Sequence, residues 1–426
     1  MNTAAAPATA RAALLEACAD IAARFDAGEG IERLLAAQAG AVDAAVLAAW
    51  RACVPADAGL DLLATGGYGR GEQYPFSDVD LLVLGGPEAQ AKNAAALGAF
   101  FATLWDLGLK PGTAVRSLPD CVQACREDVR TLTALTEARR LAGSPAALDA
   151  LEEALRGAAL WPALAYFEAK REEWIARHAR HHDTANNLEP NLKEGPGGLR
   201  DLHTLAWLAR RIYRVPGLEA LVALGLLGAD EEATLRRDWR TLARLRFGLH
   251  LVAGRREERL RFDHQKVLAA RLGYRDEASD NLAVEQMMQA LFRAAHTVQR
   301  ISERLLQRFE EQLAGQVECT AVAPGFVLLN GYLRREAAAP VASALEAFAV
   351  FATWAACPAA RGLHSETARA MAEGLPRILP FAEQDAATRA AFLALLQGPQ
   401  AVETLARRTA IRSAPPSVIH MSRAYS

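Results

Sequence analysis

The sequence predicts an α+β protein: a small α/β unit, then a large helical region with a short β-hairpin. Three observations carry this. Two short apolar runs, residues 60–65 and 79–84, are bounded by proline and glycine and flank a glycine-dense stretch. Between 146 and 314 the chain reads as almost wholly helical. Asn330-Gly331 joins the runs 326–329 and 332–335, and Asn-Gly suits the two positive φ angles of a type I′ hairpin turn.

The elements follow in order. Residues 9–50 read as helices, because Leu14, Leu15, Cys18, Ile21 and Phe25 recur at near-helical spacing and residues 26–30 break the run. Residues 60–65 and 79–84 read as buried strands, 88–106 as helix, 113–117 as a third short strand, and the chain from Pro119 as helix. The helical region is interrupted at 186–198 and at Pro216-Gly217, and residues 338–410 return to helix. The expected division is an N-terminal helical segment (1–50), the α/β unit (51–145), a helical nucleotide- and substrate-binding domain (146–320), hairpin plus helices (321–408) and an unstructured tail (409–426).

Composition sets limits. With 51% hydrophobic and 23% charged residues, the chain is that of an ordinary globular protein. A net charge of -2 argues against a broad electrostatic footprint for nucleic acid. The first residues lack the basic-then-apolar order of a signal peptide, and no apolar run approaches a membrane span. The six cysteines form no CxxC pair, which fits the cytoplasm, and Cys121 and Cys125 read as small buried apolar residues on one helix face. His181-His182-Asp183 reads as a solvated helix face.

Chemistry concentrates between Gly66 and Asp80. A glycine-dense turn (Gly66, Gly67, Gly69, Gly71) holding Arg70 is followed by Ser77-Asp78-Val79-Asp80. Strand side chains alternate, so Asp78 and Asp80 point the same way and repel unless a cation lies between them. Mg²⁺ suits one or two carboxylates, completing its shell with phosphate oxygens and water. Glycines let main-chain amides approach a phosphate, and Arg70 adds a fixed positive fork. A Walker A loop would need Lys-Ser/Thr where Glu72-Gln73 stands. A dinucleotide fingerprint would open a helix and find its acid about 20 residues later. The plain alternative is a glycine turn in which Asp78 only caps the chain.

A second motif, residues 187–201, is a Pro/Gly loop leading into a helix, with Lys193 and Arg200 beside the helix start, where anions are favoured. The alternative is a loop that only packs the helical region on the α/β unit.

The first motif resembles the nucleotidyltransferase superfamily of DNA polymerase β. More narrowly, residues 66–72, 77–82 and 187–201 resemble the bacterial uridylyltransferases that modify the signalling protein PII, and stretches at 104–109, 136–143, 251–257 and 326–332 do so more weakly. The resemblance runs from about residue 12 to 405. It implies a polymerase-β-like domain and transfer of UMP from UTP to a protein hydroxyl, a tyrosine of PII. Asp78 and Asp80 would hold Mg²⁺, and Glu137 is the candidate third acid. The turn glycines, Arg70 and Ser77 would bind the nucleotide, with Lys193 and Arg200 facing it across a cleft from Arg70. It also implies an N-terminal part only, without the HD-type hydrolase and ACT domains of such enzymes. Rival readings are an adenylyl- or other nucleotidyltransferase of the same superfamily, and an inactive module that binds PII or a nucleotide.

Overall fold

In the computed structural model, residues 5–157, 160–181, 187–277, 282–315, 318–337, 339–374, 378–380 and 383–397 are described. The chain forms two compact units that divide at Val298/Gln299. The expected boundaries at 50 and 145 fall inside the first unit.

The first unit opens with a helical hairpin, α1 (Ala5–Asp26) and α2 (Ile31–Cys53), turned at Gly28 with φ +88°. Leu34, Leu35, Val42, Val46 and Trp50 give α2 one buried face. Strand β1 (Leu60–Ala64), the single helical turn α3 (Gly66–Gly69), β2 (Val79–Gly85), α4 (Pro87–Lys92), α5 (Ala94–Asp106) and β3 (Pro111–Arg116) follow. After α6 (Leu118–Glu127) and α7 (Val129–Leu135), β4 (Arg139–Ala142) completes a sheet of order β3-β2-β1-β4. β2 runs antiparallel to β1 and parallel to β3, and the register sets Asp80 opposite Gly112. Leu62, Leu81 and Val83 pack with Val46, Trp50, Phe100 and Leu104 in one core. At about 25 cal/mol per Å² of apolar surface removed from water, such side chains stabilise this sheet by roughly 1.5–3 kcal/mol each.

The helical part contains α8 (Pro145–Arg156), α9 (Ala163–Ala179), α10 (Leu199–Leu208), a π-turn at Ala209–Tyr213, α11 (Ala220–Ala223), α12 (Ala229–Ala253), α13 (Phe262–Arg271) and the long α14 (Ala283–Leu313), which runs through the division. In the second unit β5 (Cys319–Ala323), β6 (Phe326–Leu329), β7 (Tyr332–Arg335) and β8 (Gly362–Leu363) form a sheet. Helices α15 (Ala344–Ala355), α16 (Ser365–Gly374) and α17 (Ala386–Gln397) follow the same order of chain, and Leu333, Val350, Trp354, Met371 and Leu395 share a core. Leu329 pairs with Tyr332, and Asn330 (φ +49°) and Gly331 (φ +83°) take the left-handed conformations of the expected hairpin turn.

Sequence reasoning missed β4, β5 and β8. β4 carries two arginines in four residues, so its apolar alternation is lost, and its place is set by partners far away in the chain. Arg139 forks onto Asp43 at 2.8 and 3.0 Å and lies over the Tyr68 ring. Cys121 and Cys125 are buried as expected, and burial pushes their thiols up to about 11 and 12. Residues 409–426, the expected tail, lie outside the described residues, as do His182 and Asp183. His181 is half-buried at a small pocket with Asn187, Leu192 and Leu242, and burial lowers its pKa. No helix among the described residues is long and apolar enough to cross a membrane.

Candidate active site

The site is built on the turn between β1 and β2. Gly66 leaves the strand with φ +56°. Gly69 admits no side chain, since a Cβ there would lie 2.1 Å from the Glu137 carbonyl oxygen. The returning segment is pinned from several sides. Gln73 donates to the carbonyls of Ser77 (3.3 Å) and Asp78 (3.4 Å). His250 on α12 donates from Nδ1 to the Pro75 carbonyl at 2.5 Å, and the Arg246 guanidinium lies 3.9 Å over the buried Tyr74 ring. Phe76, half-exposed, is held at φ +61°, a conformation a bulky residue adopts only when its surroundings fix it.

Asp78 stands one residue before β2 and Asp80 lies within it. The Asp80 carboxylate is framed by two glycines. A Cβ on Gly66 would come 3.4 Å from Oδ2, and one on Gly112 would come 2.4 Å from Oδ1. Burial raises the pKa of Asp80, and the neighbouring Asp78 raises it further, while Lys193 and Arg256 oppose the rise. The two acids are therefore close enough to repel, and two cations face them. Ser77 is half-buried, with its amide on the Tyr74 carbonyl at 3.1 Å.

The cationic side comes from the second motif, folded into a knot. Asn191 Oδ1 accepts from the amides of Lys193 (3.1 Å) and Glu194 (2.7 Å), and the Arg200 amide donates to the Lys193 carbonyl (2.9 Å). Fully buried Asp201 closes the knot, accepting from Arg177 (2.6 Å), His178 (2.9 Å) and the Gly197 amide (2.7 Å). These donors hold the Asp201 carboxyl below the usual range against the cost of burial. Gly197 is obligatory, since a Cβ there would lie 2.0 Å from the Ala295 carbonyl oxygen. The knot sets Lys193 and Arg200 side by side. Burial, with Arg200 and Arg246 nearby, pushes the Lys193 ammonium down to about 8. Its carboxylate neighbours oppose this only weakly: Glu194 is 3.8 Å away, and Glu258 acts from a distance.

The remaining expected site residues land elsewhere. Arg70 is mostly buried, bonded to Glu137 at 2.5 Å and Glu72 at 3.4 Å. Glu137 spends its other oxygen on the Trp207 indole N–H. In this structure both oxygens of Glu137, the expected third acid, are engaged, one by Arg70 and one by the Trp207 indole. Arg70 and Arg200 lie 5.9 and 5.1 Å from the centroid of the Trp207 ring, so both pack against the same aromatic side chain. The turn glycines Gly67 and Gly71 keep the backbone around Arg70 compact: Glu72 N bonds to the Gly67 carbonyl at 3.0 Å and Gly71 N to the Tyr68 carbonyl at 3.1 Å.

Sequence reasoning also missed residues that shape the site. Arg256 bonds to Asp78, and Arg246 forks onto Glu258 at 2.7 and 2.6 Å. His203 donates to Glu72 at 2.7 Å. Burial and Arg70 push the pKa of His203 down, and its Nδ1 has no hydrogen-bond partner among the described residues. The stretch 251–257 carried the signal for Arg256, but no local spacing linked it to an acid 178 residues away.

A divalent cation fits this donor set. The donor set is the carboxylates of Asp78 and Asp80, close enough that each acts on the other. That suits Mg²⁺, which keeps water and phosphate ligands, and would not suit a structural zinc site.

Comparison with known proteins identifies relatives of the chain. Residues 165–306, which hold the whole cationic side, match the family model of the GlnD PII-uridylyltransferase domain. The chain is 53% identical over 401 residues to the bifunctional uridylyltransferase/uridylyl-removing enzyme of Xanthomonas euvesicatoria pv. vesicatoria (strain 85-10), covering 94% of this chain and 46% of that protein. The namesake of Xanthomonas campestris pv. campestris (strain 8004) is 54% identical over the same shares. That of Pseudomonas putida (strain F1) is 39% identical over 357 residues, or 82% of this chain and 39% of the relative. The chain thus spans just under half the length of the Xanthomonas relatives, matching their N-terminal part. It belongs to the GlnD PII-uridylyltransferase family.

Proposed function

We propose that the chain is a Mg²⁺-dependent nucleotidyltransferase, built on a polymerase-β-like domain, that moves UMP from UTP to a tyrosine hydroxyl of PII and releases pyrophosphate. The observation that carries this reading is the repelling pair Asp78 and Asp80, one wedged between glycines, faced by Lys193 and Arg256.

The tyrosine hydroxyl gives its proton to solvent water as its oxygen attacks the α-phosphorus, a new P–O bond forms, and the bond to the pyrophosphate oxygen breaks, the electron pair leaving with pyrophosphate. Asp78 and Asp80 would hold the cation, which would supply positive charge to the triphosphate and orient it. Lys193, protonated below about pH 8, and Arg256 accept the negative charge of the leaving pyrophosphate. Gly66 and Gly67 leave the main chain open to a phosphate. Arg70, Glu137 and Trp207 hold the turn and the second motif in register, so their contribution is positional. Transfer of this kind depends chiefly on positioning and electrostatics.

The test is incubation of the purified chain with labelled UTP, Mg²⁺ and PII. Label on PII that is lost in the D78A/D80A double variant supports the reading, and equal labelling by both proteins removes it. Competition by unlabelled ATP stronger than that by UTP would shift the assignment to adenylyl transfer.

A further inference from the structure

Arg256 has no place in the scheme above beyond general charge, yet its position is specific. It lies two residues past Gly254, which ends α12 with φ +62°. Its Nη1 bonds to Oδ2 of Asp78, and its Nε lies 3.5 Å from Glu258. Glu258 is itself fixed by both nitrogens of the Arg246 fork. Arg256 therefore bridges one carboxylate expected to hold a cation and one that is locked in the protein. Both side chains of the Arg256–Asp78 pair remain about two-fifths exposed, so the pair can open without unpacking a core.

We propose that Arg256 is a placeholder for the divalent cation: it neutralises Asp78 before the cation arrives and then turns, from its Glu258 anchor, onto the incoming triphosphate. The inference rests on the paired-acid reading of the site. Two charges cannot occupy the same face of one carboxylate, so cation and guanidinium compete for Asp78. A guanidinium freed beside a metal–triphosphate finds phosphate oxygens that match its fork. The contact is a half-exposed ion pair, worth up to about 1 kcal/mol, which corresponds to a change of about fivefold in a binding constant.

The experiment uses the full 426-residue chain and Mn²⁺ as the probe. Mn²⁺ affinity without nucleotide is read from the electron paramagnetic resonance of the free ion, and UTP affinity with Mg²⁺ from equilibrium dialysis. R256Q is expected to bind Mn²⁺ about three- to fivefold more tightly and UTP several-fold more weakly. R255Q removes the same charge one residue away, where Arg255 bonds to Glu257 at 3.0 Å, and is expected to change neither. Unchanged or weaker Mn²⁺ binding in R256Q overturns the proposal, as does equal tightening in R255Q or undiminished UTP affinity in R256Q. The D78N/D80N variant separates the two levels. Mn²⁺ binding that depends on the acids but ignores Arg256 sinks only the placeholder. Binding that ignores the acids sinks the site reading as well.

Discussion

Two groups of charges in the first unit look alike in composition and differ in how fully they are paired. Around Arg70, Glu137 and Trp207, and again around Asp201, Arg177 and His178, each carboxylate has opposite charges or donors on both oxygens. At the acid pair, Asp80 is left with a raised pKa beside a like charge, and Lys193 has a depressed pKa and a distant partner. Saturated charges fix shape, because breaking them is costly and nothing further can bind to them. Undersaturated charges hold an unspent affinity for a ligand of the right sign. The difference turns on partners, not on residue type.

The contrast predicts opposite phenotypes. Replacing both Asp78 and Asp80 by Ala removes a like-charged pair whose ion-pair partner, Arg256, is half-exposed, so transfer should fall by about a thousandfold or more, from loss of several kcal/mol of charge stabilisation, while stability changes by no more than about 1 kcal/mol. Labelled-UTP incorporation and a denaturation curve check both halves, and a loss of stability well above about 1 kcal/mol would contradict the assignment of these acids as undersaturated. Asp201→Asn should do the reverse. Removing one partner of a buried pair leaves Arg177 uncompensated and costs about 3–5 kcal/mol, read from the urea midpoint. A loss below about 1 kcal/mol would mean that the knot is not held by this charge.

Legibility in the sequence follows the same line. β1, β2 and the 326–335 hairpin were legible because their information is local: an apolar run, a glycine boundary, an Asn-Gly turn. The acids were legible because their spacing is two residues. β4 was not, since Arg139-Arg140 hides an apolar pattern and Asp43, 96 residues away, fixes the strand. Glu137 and Arg70 had the right chemistry to be called catalytic base and phosphate clamp. Only the fold reveals that they are bonded to each other across 67 residues. Arg256 is the converse case, an ordinary arginine in sequence that the fold sets against Asp78.

Glu137 offers the sharper version of the comparison. Glu137→Gln keeps an acceptor for the Trp207 indole but leaves Arg70 with Glu72 alone. The expected cost is about 2 kcal/mol of stability, with transfer reduced less than about tenfold and the acid limb of the pH–rate profile unmoved. A general base would give another result: a loss of about a hundredfold or more and disappearance of that limb.

The smallest effect concerns Lys193, and its sign is the informative part. Its ammonium is held near 8, below the ordinary value of 10.5. A triphosphate binds the protonated form, so UTP affinity should weaken about eightfold between pH 7.5 and 9, with the Lys193→Arg variant serving to subtract ionisation of the nucleotide itself. Stability of the free protein should move the other way. Between about 8 and 10.5 the unfolded chain binds the proton and the folded one does not, so folding gains as pH rises through this window. Lys193→Arg should flatten both curves, because guanidinium stays charged throughout. Affinity and stability that fall together over this range would place Lys193 among the saturated charges, bonded within the protein rather than waiting for a ligand.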